Sequence, residues 1–119
     1  MEEPAKHAVV TTPAPSAAPA RVCPEFHAAV ELVGKRWTGA ILWALIERPH
    51  YFAELKAGVP GVSDKLLSQR LRELEEEGLV DRSVHPGSPA RVSYALTEKG
   101  RDIEPAVAEL RDWARRWKG

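Results

Sequence analysis

After residue 22, apolar residues recur at helical spacing in most of the chain and at alternate positions in two short segments. Phe26, Ala29, Val30 and Val33 follow the i, i+3, i+4, i+7 pattern and predict a short helix that Gly34 stops. Trp37, Ala40, Ile41, Ala44 and Leu45 repeat that spacing, and Leu42, Trp43 and Ile46 widen the stripe around most of the circumference. A helix apolar nearly all round is expected at the centre of the fold, with Trp43 in the core; Pro49 ends it. Phe52 to Ala57 predicts a third, short helix, and Gly58-Val59-Pro60-Gly61 a tight turn. Ser63 then caps a helix to about Glu77, with Leu67, Leu71 and Leu74 as its inward stripe and Gly78 as its stop. Val62 and Leu67 are placed to form a hydrophobic staple across the cap.

The pattern then changes period. Val80, Arg82 and Val84 alternate with Asp81 and Ser83, and Val92, Tyr94 and Leu96 with Ser93 and Ala95. The intervening His85-Pro86-Gly87-Ser88-Pro89-Ala90 is dense in turn formers, so a two-stranded hairpin with a protruding loop is expected. Thr97 caps a last helix whose apolar stripe is Ile103, Val107, Leu110, Trp113 and Trp117, with a kink or restart at Pro105. The predicted class is mainly α with a small β-hairpin (α+β). A helix-turn-helix is followed by a wing at 79–96 and flanked by N- and C-terminal helices.

Residues 1–20 hold four prolines and six alanines without apolar periodicity, so 1–22 is read as a disordered tail and 23–119 as the folded domain. A docking role for the tail is the alternative. The length of 119 residues suits one domain. No apolar run approaches the roughly 20 residues of a spanning helix, and Met1 to Lys6 lacks the apolar stretch of a secretory signal. Cys23 is the only cysteine, which rules out an intrachain disulfide. A soluble, cytoplasmic protein is expected. His7, His27, His50 and His85 are scattered without metal-ligand spacing, and no nucleophile stands with a base. Neither a metal, nor a cofactor, nor a catalytic site is predicted.

Net charge is zero, from 17 basic and 17 acidic residues, so no global excess points to nucleic acid. Distribution carries the argument instead. Within 63–78, three basic residues stand against five acidic ones, but Glu73, Glu75, Glu76 and Glu77 come late. On a wheel of about 100° per residue, Lys65, Ser68, Gln69 and Arg72 point away from the leucine stripe in the first turns. Together with Ser63 these are the residue types that reach phosphates and base edges. An ordinary solvated helix face would also carry such residues. His85 and Arg91 stand at the base of the wing, where an arginine can reach the minor groove. Lys35 and Arg36 precede the second helix, where basic residues oppose the helix dipole and can meet a phosphate.

Several separated motifs in one order carry a resemblance. They are Cys23-Pro24; Leu32-Val33-Gly34-Lys35-Arg36-Trp37; Phe52-Ala53-Glu54-Leu55; Pro60-Gly61-Val62-Ser63; Leu67-Ser68-Gln69-Arg70-Leu71-Arg72-Glu73-Leu74 through Gly78-Leu79-Val80; Arg91-Val92-Ser93-Tyr94-Ala95-Leu96-Thr97-Glu98-Lys99-Gly100; and Trp113. Over residues 23–119 the chain resembles the HxlR-type winged helix-turn-helix regulators, relatives of the MarR group. It departs from them in having Gly-Lys-Arg-Trp where Gly-Lys-Trp is usual, with Gly34 alone rather than a glycine pair. The resemblance implies a homodimeric transcription regulator on double-stranded operator DNA. Its helix 63–77 would lie in the major groove and its wing on the minor groove.

The resemblance also implies a sensing role for a cysteine just before the first helix, the position of Cys23. A helix N-terminus favours a thiolate, while Glu25 opposes it by like charge; the alternative is an inert, half-buried small hydrophobe. The wide stripe Ile103, Val107, Leu110, Trp113, Trp117, together with Phe26, is the candidate dimer interface, because a domain this small has no spare element to cover it. Three functions stand: a DNA-binding regulator, one switched by an oxidant or electrophile through Cys23, and a winged-helix protein-interaction module without DNA binding. The inducer, small molecule or electrophile, stays open.

Overall fold

The computed structural model describes residues 12–119. Six helices and three strands follow in the order α1 (Pro24–Val33), α2 (Thr38–Glu47), β1 (His50–Tyr51), α3 (Phe52–Gly58), α4 (Asp64–Glu76), β2 (Val80–His85), β3 (Arg91–Leu96), α5 (Glu98–Arg101) and α6 (Glu104–Trp117). The expected tail overlaps residues 1–11, which lie outside the described residues; residues 12–22 carry no helix or strand. Among the described residues no helix is long and apolar enough to cross a membrane.

The core forms where α2, α3 and α4 meet. Ile41, Leu42 and Leu45 of α2, Leu55 of α3 and Leu67, Leu71 and Leu74 of α4 are all essentially inaccessible, with Val59, Val62, Leu79, Val80 and Tyr94 closing the cluster. The staple pair Val62 and Leu67 is thus buried. The Ser63 hydroxyl accepts from the Leu66 amide at 3.1 Å, capping α4 as expected. At the other end Gly78 adopts φ +78°. Its amide donates to Glu75 (3.0 Å) and the Leu79 amide to Leu74 (2.9 Å), a Schellman stop available to glycine at no steric cost.

Four local expectations need correction. Trp43 is 42% exposed, not in the core. It faces outward on α2, with the Arg111 guanidinium of α6 lying 5.2 Å from its ring centroid. The apolar pattern of α2 extends beyond its core face, and α1 and α6 also pack against this helix. Trp37 lies just before α2, not within it, and holds the left-handed conformation at φ +78°. This conformation is strained for a bulky residue by roughly 1–2 kcal/mol. Its indole lies 3.3 Å from where a Cβ would stand on Gly61, so the ring covers the turn of the helix-turn-helix. The sheet has three strands in the order β1-β3-β2, not two, because His50 and Tyr51 pair antiparallel with Tyr94 and Ser93. Two residues are too few to show a period. Finally, the alternation in β2 does not track burial: Val80 is buried and Val84 is 54% exposed, because β2 is an edge strand whose residues after Val80 are all exposed, while the central strand β3 keeps Tyr94 in the core.

The last expected helix is two. Thr97 caps α5 by accepting from the Gly100 amide (3.0 Å) and donates its own hydroxyl to the Gly78 carbonyl (2.6 Å). Lys99 donates to the Glu77 carbonyl (2.7 Å), so α5 satisfies the C-terminal carbonyls of α4. Gly100 is required by close approach, since a Cβ there would collide with the Leu79 carbonyl oxygen. Pro105 then sits in the first turn of α6, where its missing amide costs nothing.

A polar clamp fixes α4 to the loop before α2. Glu73 receives Lys35 at 3.2 Å and Arg70 at 3.1 Å, and Arg70 also donates to the Arg36 carbonyl at 2.9 Å. Partial burial pushes the Glu73 carboxyl up, but the Lys35 hydrogen bond and the charges of Arg70 and Lys35 outweigh it and hold the group below the usual carboxylate range. A carboxyl depressed in the folded state contributes stability above its unfolded value, about 4.3, and loses it as pH falls through the lower folded value. Glu73→Gln is therefore expected to lower the melting temperature at pH 7. The difference from wild type should shrink as pH falls below about 4, as read by thermal melts across an acid series.

Candidate nucleic-acid interface

The leucine stripe of α4 decides which side chains reach solvent. With Leu67, Leu71 and Leu74 inward, Ser63, Lys65, Gln69 and Arg72 are exposed and Ser68 is half-buried at the edge of the same face. Among the described residues Lys65 and Arg72 have no ion-pair partner, whereas Arg70 is engaged with Glu73 and Lys56 with Asp64 (3.7 Å). The cations left unneutralised on α4 are thus those on its outward face.

The wing stands beside this face. β2 and β3 pair from Val80 with Leu96 to His85 with Arg91, and residues 86–90 close the loop. Arg91 is exposed, has no ion-pair partner among the described residues, and stacks on the Tyr51 ring with its guanidinium carbon 3.5 Å from the centroid. His85 meets the same ring edge-on at 5.5 Å and is hydrogen-bonded to the Ser93 hydroxyl at 2.7 Å. Tyr51, Phe52, Ser68 and Arg91 line one groove, so β1, α3, the start of α4 and the wing converge on a single surface.

Not every candidate joins that surface. Lys35 is held by Glu73, and Arg36 stacks on Trp37 at 4.7 Å with its side chain exposed. Sequence reasoning missed Tyr51, Arg70 and Glu73. Glu73 reads as one more acidic residue in a run, because its partner Lys35 is remote along the chain. Tyr51 carries no periodic signal in a two-residue strand.

The remaining candidates lie on α1 and α6, away from the core. Neither helix has a buried residue. Phe26 is 70% exposed, Leu110 65% and Trp113 51%, with Val30 also exposed; Ile103, Val107 and Trp117 are half-buried. Cys23 is exposed and caps α1. Its sulfur accepts from the Phe26 amide at 3.5 Å, and its thiol donates to Glu25 Oε2 at 3.4 Å. The Glu25 carboxyl is held below its usual range first by a backbone amide and then by that thiol.

Known proteins share this architecture. Residues 32–119 match the model of the HxlR-like helix-turn-helix family. The uncharacterized HTH-type transcriptional regulator YvaP of Bacillus subtilis is 42% identical over 96 residues, covering 81% of this chain and 89% of YvaP. The HTH-type transcriptional regulator YodB of the same organism is 41% identical over 93 residues, 78% of this chain and 83% of YodB. The reduced form of YodB superposes with a TM-score of 0.71 at 39% identity, over 82% of this chain and 95% of that one. YodB has also been solved diamide-treated and quinone-bound, with TM-scores of 0.68 and 0.69. The redox regulator HypR in its reduced form superposes with a TM-score of 0.73 at 32% identity, over 76% of this chain and 90% of that one. With its winged helix-turn-helix built as described, the chain belongs to the HxlR-like helix-turn-helix family of DNA-binding transcriptional regulators.

Proposed function

We propose that the protein regulates transcription as a homodimer, with α4 in the major groove of an operator and the wing at 79–96 on the adjacent minor groove. The observation that carries this reading is the unneutralised face of Ser63, Lys65, Ser68, Gln69 and Arg72, with Arg91 beside it. Ser68 and Gln69 are of the types that read base edges; Lys65, Arg72 and Arg91 suit phosphate or guanine, and His85 and Arg36 flank them. Lys35 acts through the clamp that holds α4. The interaction-module alternative is disfavoured by this arrangement of unpaired cations and by the DNA-binding family.

Selection of bound genomic fragments supplies the operator. Ser68→Ala and Gln69→Ala should then relax sequence preference, each costing about 1–3 kcal/mol on the operator. Lys65→Ala should weaken operator and unrelated DNA alike and reduce the slope of log affinity against log salt by about 1. Equal losses on both DNAs for all three variants would overturn the division between base and phosphate contacts.

The dimer is supported by the exposed apolar faces of α1 and α6, which flank α2. A two-fold pairing through Phe26, Val30, Leu110 and Trp113 would offer two α4 helices to half-sites about 34 Å apart. Sedimentation should give a dimer at micromolar concentration, and Trp113→Asp a folded monomer with weakened operator binding. A monomeric wild type excludes this arrangement.

A second reading, regulation through Cys23, is favoured by its exposure and by the hydrogen bond its thiol donates to Glu25. Towards a quinone, the Cys23 thiolate would add through sulfur to a ring carbon, and water would return the proton that completes the hydroquinone adduct. Glu25 opposes this step, because its carboxylate accepts a hydrogen bond from the protonated thiol and repels the thiolate. Glu25→Gln should accelerate quinone alkylation of the protein, read by mass spectrometry. Cys23→Ser should abolish the quinone's effect on operator binding, and a wild-type response that persists in that variant removes Cys23 from the signal.

A further inference from the structure

Among the free cations of the DNA-facing surface, Arg91 alone is held against an aromatic ring from another element. Tyr51 lies in the short edge strand β1, directly before α3, and its partner across the ladder is Ser93, two residues after Arg91. The Arg91 guanidinium sits over the ring at 3.5 Å, and His85, the residue paired with Arg91 across the wing, closes on the ring edge at 5.5 Å. Tyr51 thus touches both members of the last residue pair before the wing loop.

The chemistry of the stack explains what this contact does. A guanidinium is planar and carries its five N–H donors in the plane. Stacking on a ring occupies the face of that plane and none of the donors. An ion pair with a carboxylate would do the reverse, and Arg70 shows it: its Nη1 is taken by Glu73 and its Nε by the Arg36 carbonyl. Arg91 is therefore ordered without being neutralised. A long side chain that starts ordered loses less rotamer freedom when it meets a ligand.

We propose that Tyr51 is a positioning residue for DNA binding: its ring holds the Arg91 guanidinium face-on at the base of the wing and leaves the donors for backbone phosphate. This rests on the reading of the wing as a DNA contact. Tyr51 need not touch DNA itself. The backbone bond that its amide donates to Glu54 (2.9 Å), which caps α3, does not depend on the ring.

A double-mutant cycle tests this on the full-length protein with a labelled mixed-sequence duplex of about 30 base pairs, three turns of DNA. Thermal melts accompany each variant. Tyr51→Leu should weaken binding about two- to fivefold, the size of an exposed cation–π contact. Tyr51→Phe, which keeps the ring, should bind like wild type. Arg91→Ala should weaken binding more and lower the salt slope by about 1. The double variant Tyr51→Leu/Arg91→Ala should bind no worse than Arg91→Ala alone, because Tyr51 has nothing left to position.

Additive losses in the double variant, or a loss in Tyr51→Phe equal to that in Tyr51→Leu, would mean that Tyr51 acts on DNA directly and would overturn the proposal. So would full affinity in Tyr51→Leu when Arg91→Ala is impaired, with the wing contact itself left standing. Unchanged binding by Arg91→Ala would instead remove the wing contact, and the positioning role with it.

Discussion

The burial of Leu67, Leu71 and Leu74 against α2 and α3 is the constraint on which the rest of the structure depends. All three are essentially inaccessible to solvent. Each buried leucine is worth about 1.5–3 kcal/mol, whereas an exposed ion pair such as that of Asp64 on the same helix with Lys56 is worth about 0–1 kcal/mol. Apolar burial therefore sets the rotation of α4 about its axis, and the charges take the directions left to them. Lys65, Gln69 and Arg72 point outward because those leucines point inward. The capping of α4 by Ser63 and its stop at Gly78 fix where that face begins and ends.

Within this frame, electrostatics sorts the cations into two groups. Lys35, Arg70, Lys56, Arg48 and Arg111 are each paired with a carboxylate. Among the described residues Lys65, Arg72 and Arg91 have no such partner, and neither do Arg36, Arg82, Arg101, Arg115 and Arg116. A chain with zero net charge can still present a local cationic surface, because carboxylates such as Glu73, Glu54 and Asp64 are paired with other cations of the fold. Glu75, Glu76 and Glu77 lie at the far end of α4 from the face formed by its first turns.

The outer helices contrast with the core. α1 and α6 lack buried residues while showing Phe26, Val30, Leu110 and Trp113 to solvent. The proposed dimer would cover those side chains, and Cys23 caps the same α1 that would take part. α1 is joined to α4 through the loop that carries Lys35, Arg36 and the strained Trp37, which rests over Gly61 in the turn before α4. A chemical change at Cys23 would thus act on an element that is physically continuous with the DNA-facing helix.

Helices, turn, caps and hairpin were legible in the sequence because each depends on neighbours within a few residues. Spacing gave the leucine stripe, Ser63 and Gly78 gave the ends of α4, and Pro105 marked the restart of the last helix. The outward row of α4 followed from the stripe by geometry alone, and so did the apolar face of α6. The partners of long side chains were decided only by the tertiary structure. That Lys35 meets Glu73, that Arg91 lies on Tyr51, and that Trp43 lies under Arg111 instead of in the core depend on elements remote in sequence. A periodic pattern records which face of an element is buried, but not which element buries it, so the side of α2 covered by α6 read as core. The strand at His50–Tyr51 likewise exists only because β3 lies beside it, since two residues have no period of their own and take their conformation from the ladder they join.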